Sequence, residues 1–169
     1  FLFPELVESN VPLTNSRGVY SRSLAEFAIA SILYFAKDLP RMLRNKAARR
    51  WEQFDVEEVH GRTLAIIGYG DIGRATAVRA QALGMKIIAV RRRPELSSED
   101  SMLEAVYPMA QRQEVMSAAD YVLVASPLTL ETKGLVDEPE LRAMKSSGAI
   151  INLGRGPVIN EAALIRVLA

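Results

Sequence analysis

A short apolar run, Leu64-Ala65-Ile66-Ile67, leads straight into Gly68-Tyr69-Gly70-Asp71-Ile72-Gly73, and an amphipathic stretch starts inside that pattern and ends at Gly84. No other feature constrains the fold as tightly. A buried strand followed at once by G-x-G-x-x-G and a helix is the arrangement in which each glycine has a separate task. Gly68 permits a tight turn, Gly70 lets backbone approach a diphosphate, and Gly73 lets helix and strand pack closely. The opening amides of the helix, presented by Asp71 and Ile72, then face the anion with the helix dipole behind them. The spacing predicts that Ile72, Ala75, Val78 and Ala82 share the buried face of that helix, with Gly84 at its C-cap. The bland alternative is a glycine-rich turn that holds nothing; the strand before it and the helix after it favour the phosphate.

Beyond Thr63 short apolar runs keep alternating with amphipathic stretches, which is the pattern of β-α-β units and a parallel sheet. We expect strands at Leu64 to Ile67, Lys86 to Val90, Tyr121 to Ala125 and Ala149 to Leu153, with a weaker one near Val106-Tyr107. The fold class is therefore α/β, a Rossmann-type doubly wound sheet. With 169 residues the chain is long enough for one domain with a real core, and two full domains do not fit. A formal net charge of +1 gives no electrostatic case for nucleic acid or an anionic membrane, and zero cysteines exclude disulfides, thiolate catalysis and cysteine-ligated metal. No metal site is expected. The longest near-apolar run, Phe27 to Ala36, is far too short to span a bilayer. A soluble protein of a reducing compartment is expected, the cytoplasm ahead of an organelle.

Ahead of the sheet, residues 1 to 20 are punctuated by Pro4, Pro12, Asn15 and Gly18 and read as an irregular connection from a neighbouring domain, with a short extended stretch around Val11 to Thr14. Residues 21 to 169 read as the domain proper. Ser23-Leu24-Ala25-Glu26 has a capping-box pattern, and the helix it opens is apolar almost all round from Phe27 to Ala36, so burial on several sides is expected. A basic helix follows to Trp51, with Arg41, Arg44, Lys46, Arg49 and Arg50 read mainly as a solvated face rather than an anion site. Phe1 is not a methionine, and the helical pattern Ala163, Leu164, Val167, Leu168 reaches Ala169 without a stop signal, so an excerpt of a longer protein is expected.

At the end of the second expected strand, where a carboxylate commonly takes the adenosine ribose hydroxyls of NAD, this chain has Arg91, Arg92 and Arg93. Guanidinium groups pair well with phosphate oxygens, and no acid stands there to repel a 2′-phosphate, so NADP is preferred over NAD. The alternative is that three arginines merely solubilise a loop before Pro94.

Three segments together resemble the signatures of the D-isomer-specific 2-hydroxyacid dehydrogenases. They are Gly61-Arg62-Thr63-Leu64-Ala65-Ile66-Ile67-Gly68-Tyr69-Gly70-Asp71-Ile72-Gly73, Ser126-Pro127-Leu128-Thr129-Leu130-Glu131-Thr132 and Asn152-Leu153-Gly154-Arg155-Gly156-Pro157-Val158-Ile159-Asn160-Glu161. Leu24-Ala25-Glu26 and Trp51 extend the likeness toward the N-terminus. The resemblance implies a two-domain enzyme that passes hydride between nicotinamide and C2 of a 2-keto or 2-hydroxy acid. It implies that Arg155 binds the substrate carboxylate, and that Ser126, Pro127, Thr132, Leu153, Gly154 and Arg155 run along the cofactor. It also implies a homodimer through the Ser23 to Ala36 region, although burial of that helix within one chain reads equally well. A glutamate and a histidine would move the proton, and both would come from segments beyond this chain. His60, the one histidine, precedes the first strand and so belongs to the wrong edge of the sheet; it reads as a structural turn residue. Asn160 stands where an aspartate is common and should cap the last helix as well. The rival reading from another class is a non-catalytic nucleotide-sensing dimerisation or regulatory module on the same fold. A dehydrogenase of another Rossmann family is disfavoured by the Asn152 to Glu161 segment.

Overall fold

The computed structural model describes residues 3–169; Phe1 and Leu2, the start of the expected connection, lie outside them. A short helix α1 (Pro4–Val7), not foreseen in the connection, precedes two further helices, α2 (Ser21–Ala36) and α3 (Leu39–Ala47). Strand β1 (Thr63–Ile67), helix α4 (Asp71–Ala82) and strand β2 (Lys86–Val90) then form the first β-α-β unit. Strand β3 (Ala105–Tyr107), helix α5 (Arg112–Ala118), strand β4 (Tyr121–Val124), helix α6 (Glu138–Ala143), strand β5 (Ala149–Asn152) and helix α7 (Glu161–Leu168) complete the order.

The five strands are all parallel, in the order β3-β2-β1-β4-β5, with Leu64 opposite Ile87 on one side and Tyr121 on the other. The chain leaves β1 toward β2 and β3, then returns to place β4 on β1's other flank. That reversal makes the gap between the C-terminal ends of β1 and β4 the switch point of the sheet. Alternation along β1 divides the core between two faces. Leu64 and Ile66 pack with Ala28 and Ile32 of α2 and Ala77 and Ala80 of α4. Ala65 and Ile67 pack with Val115 and Met116 of α5, Leu141 of α6 and Ala163 of α7. Both faces are covered, which is why the strands read as unbroken Ile, Val, Leu and Ala runs.

Helix α4 buries Gly73, Thr76, Ala77 and Ala80, not the expected Ile72, Ala75, Val78 and Ala82, and Val78 is 44% exposed. The face is chosen by closeness of approach: a Cβ on Gly73 would stand 2.9 Å from Ile66 Cγ2. Thr76 is tolerated because its hydroxyl donates to the Ile72 carbonyl at 2.9 Å. Gly84 does cap the helix, at φ +75, and donates to Gln81. Its carbonyl accepts from Gly61, and a Cβ there would fall 2.1 Å from His60 Nδ1. His60 is thus packed against a cap at the N-terminal edge of the sheet, as a turn residue.

The expected cap at Ser23 is not formed. Helix α2 starts at Ser21 behind Tyr20, and no side chain caps it; Ser23 lies within its first turn. Burial on several sides is also not what the chain shows. Only Ala25, Ala28, Ile32 and Ala36 are buried, while Phe27 is 61% and Phe35 51% exposed. Among the described residues no helix is long and apolar enough to cross a membrane.

The basic helix ends at Ala47 rather than Trp51, and Asp38 caps its start from a left-handed conformation by accepting from the Arg41 amide. Two of its expected solvent-facing arginines are tied down. Arg41 donates to Glu52, and Arg50 donates to Asn45 Oδ1 and to Glu52, while the buried Asn45 donates to Glu52 Oε2 at 2.7 Å. The bonds from Arg41 and Asn45 hold the Glu52 carboxyl down at about 2. An ordinary glutamate titrates near about 4.3, so this contribution to stability is present above that pH and is lost as the solution is acidified toward the folded value. Thermal melts followed by circular dichroism should show Glu52→Gln flattening the acid limb between those two values. An unchanged acid limb would show that the network carries no such linkage.

Candidate functional site

A cavity of about 640 Å³ opens at the C-terminal ends of β1, β2 and β4, at the switch point. Gly68, Tyr69 and Gly70 line it from the end of β1, Arg91, Arg92 and Arg93 from the end of β2, and Ala125, Ser126 and Pro127 from the end of β4. Three loops that are distant in sequence converge there because the parallel register brings Ile67, Val90 and Val124 level.

Small residues weld these strand ends together. Gly68 adopts φ +97, and a Cβ on it would lie 2.5 Å from Ser126 Oγ and 2.7 Å from Ser126 N. Ser126 in turn donates to the Ile67 carbonyl at 3.1 Å, and a Cβ on Gly154 would fall 2.6 Å from the Ser126 carbonyl oxygen. The second glycine differs. Gly70 has nothing within 4 Å of where its Cβ would be. It is the N-cap of α4, and no side chain caps that helix end, so the amides of its first turn have no intrahelical acceptor. An open glycine beside free amides is the cradle a diphosphate requires, and the residues present fit a dinucleotide.

Asp71 opens α4 with its carboxylate held by Arg17 Nε at 2.8 Å. That bond keeps the carboxyl below its usual range and offsets the negative charge at the helix end that would receive phosphate. Tyr69 turns away from the loop: its hydroxyl donates to Asp100 Oδ2 at 3.0 Å, where Arg74 Nε also donates. Burial, then Asp100, raises the Tyr69 phenol well above its ordinary value, so it stays a neutral donor and anchors the motif from below.

The arginine loop is partly committed. Arg91 donates to the buried Ser97 hydroxyl, Arg92 reaches Glu131 at 3.5 Å, and Arg93 has no carboxylate partner among the described residues. Thr132 lines the cavity and folds its own loop, donating to the Pro127 carbonyl. Asp71, Ile72, Gly73, Leu153, Gly154 and Arg155 do not line the cavity. Arg155 stands beyond the C-terminal end of β5, exposed, its guanidinium reaching only the Gly154 carbonyl at 3.5 Å. It is on the same sheet edge as the cavity, whereas His60 is on the opposite one.

Sequence reasoning missed Met109, Arg112, Thr129, Glu131 and Leu135, which also line the cavity. Arg112 had no readable signal: it is held by the buried Glu140 at 3.1 Å and by the Leu135 and Met109 carbonyls, all distant or local backbone partners. Asn160 caps α7 as expected, accepting from Ala163 N at 3.2 Å.

The description "D-isomer specific 2-hydroxyacid dehydrogenase, NAD binding domain" matches residues 29–169. The chain belongs to this family. It is similar to the glyoxylate reductase of Thermococcus gammatolerans, 30% identical over 97% of this chain and 51% of that protein. Among solved structures it resembles the glycerate dehydrogenase related protein of Thermoplasma acidophilum, with a TM-score of 0.83, 32% identity, and coverage of 94% of this chain and 56% of that one. A D-isomer specific 2-hydroxyacid dehydrogenase from Xanthobacter autotrophicus, solved with NADPH and MES, aligns with a TM-score of 0.81 at 29% identity over 95% of this chain and 65% of that one. The chain spans about half the length of the curated relative it matches.

Proposed function

We propose that the protein containing this chain is an NAD(P)-dependent oxidoreductase acting on C2 of a 2-keto or 2-hydroxy acid, and that residues 21–169 hold the dinucleotide while residues 1–20 lead in from a substrate-binding domain. The observation that carries this reading is the switch-point cavity with the bare Gly70 and an uncapped helix end at its rim. When bound, the nicotinamide supplies or accepts the hydride. Amides of Asp71 and Ile72 hold the diphosphate, with Gly68 and Gly73 shaping the turn. Ser126, Pro127 and Thr132 border the nicotinamide ribose, and Leu153 and Gly154 continue that wall. Arg155, free of any carboxylate among the described residues, binds the substrate carboxylate and stabilises charge developing on the C2 oxygen. His60 takes no part, because it cannot reach the edge where these groups meet.

Arg91, Arg92 and Arg93 make NADP the preferred nucleotide. Titration of the chain with NADPH and NADH, followed by tryptophan and nicotinamide fluorescence, should give tighter NADPH binding. Replacing Arg91 and Arg92 by alanine should weaken NADPH roughly ten-fold, as expected for losing a charge-assisted contact, and leave NADH unchanged. Equal affinities that the double replacement does not alter would return NAD to first place.

A homodimer through α2 is the proposed assembly, supported by the outward Phe27 and Phe35 and by exposed Leu39, Met42 and Leu43 on α3. Sedimentation of the chain as a monomer at micromolar concentration would argue against it. The cytoplasm remains the proposed location.

A further inference from the structure

Among the described residues Glu131 is the one carboxylate lining the cavity, and the side chain it faces is Arg92, the middle residue of the arginine loop. The pair joins the loop after β2 to the loop after β4, across the switch point. Both partners are about three-quarters exposed, so each is free to move when a stronger partner arrives. The other arginines of the cavity have different commitments: Arg112 is locked by Glu140 and two carbonyls, and Arg91 rests on Ser97. Of the groups able to meet an extra phosphate, Arg92 is therefore the one already engaged by a negative charge.

We propose that Glu131 sets the nucleotide selectivity of this chain by competing with a 2′-phosphate for Arg92. A nucleotide that carries the phosphate must displace the carboxylate and tolerate its charge nearby, whereas one without it leaves the pair intact. The inference rests on the nucleotide reading above. It concerns a carboxylate on the loop after β4, where the strand-end position after β2 would give no reason to look.

Glu131→Gln preserves the shape of the loop and removes the competitor. NADPH should then bind roughly two- to five-fold more tightly, the range an exposed ion pair commands, with NADH unchanged and the gain shrinking as salt is raised. In an Arg92→Ala background the same replacement should change NADPH affinity far less, because there is no guanidinium left to release. Binding of 2′,5′-ADP against 5′-AMP isolates the effect at the adenosine end and should follow the same pattern. Equal tightening of NADPH and NADH, no tightening at all, or an undiminished gain without Arg92 would overturn the proposal. Failure of the nucleotide reading looks different: the unaltered chain would then bind NADPH and NADH alike, and Arg92→Ala alone would leave both unchanged.

Discussion

Gly70→Ala should fold with the stability of the unaltered chain and lose NADPH and NADH binding by about a hundred-fold or more, the equivalent of one to two charge-assisted hydrogen bonds at about 1.5–3 kcal/mol each. The fold tolerates the methyl group because nothing lies within 4 Å of it and the backbone, at φ −111, is in a region open to any residue. The loss falls on the ligand alone, since a methyl at the rim keeps the diphosphate from reaching the amides of Asp71 and Ile72. Melting temperature and nucleotide titration separate the two effects. A variant that melts normally and still binds would remove the diphosphate from the turn.

Gly68→Ala should do the opposite, lowering stability by about 2–5 kcal/mol from a positive-φ strain and from overpacking. Its Cβ would meet the Ser126 amide at 2.7 Å, and backbone cannot swing aside as a flexible side chain can. Against a typical total of about 5–15 kcal/mol this is a large share, visible as a fall in melting temperature of roughly ten degrees. A normal melt would mean that the β1 and β4 ends are not held as closely as Gly68 and Ser126 place them. Two glycines of one motif thus answer to different forces, one to the protein and one to the ligand.

The strands, their parallel pairing and the position of the glycine turn were legible because a sheet covered on both faces leaves continuous apolar runs, and because Gly84 and Asn160 are local signals that act within a few residues. The buried face of α4 was not legible. Counting apolar side chains selects Val78, whereas the close approach to Ile66 selects Gly73, and Thr76 is buried with it. The start of α2 was misread for a similar reason, since Ser23 carries the pattern of a cap but the helix already begins at Ser21. At the cavity, Arg91 to Arg93 could be placed from the end of the second strand and Ser126, Pro127 and Thr132 from the family segment, but the pairing of Arg92 with Glu131 depends on two loops meeting in space. The same holds for Arg41, which read only as part of a charge run, while nothing local in the sequence points to its meeting with Asn45 and Glu52.

A dinucleotide bound as proposed lies across the switch point between β1 and β4. The most direct measurement is a set of amide chemical-shift changes on adding NADPH to the isotope-labelled chain. The largest changes are expected at Gly68 to Gly73, Arg91 to Arg93 and Ser126 to Thr132, with His60, Gly61 and Gly84 at the opposite edge unmoved; changes centred on that opposite edge, or spread evenly over the chain, would rule this placement out.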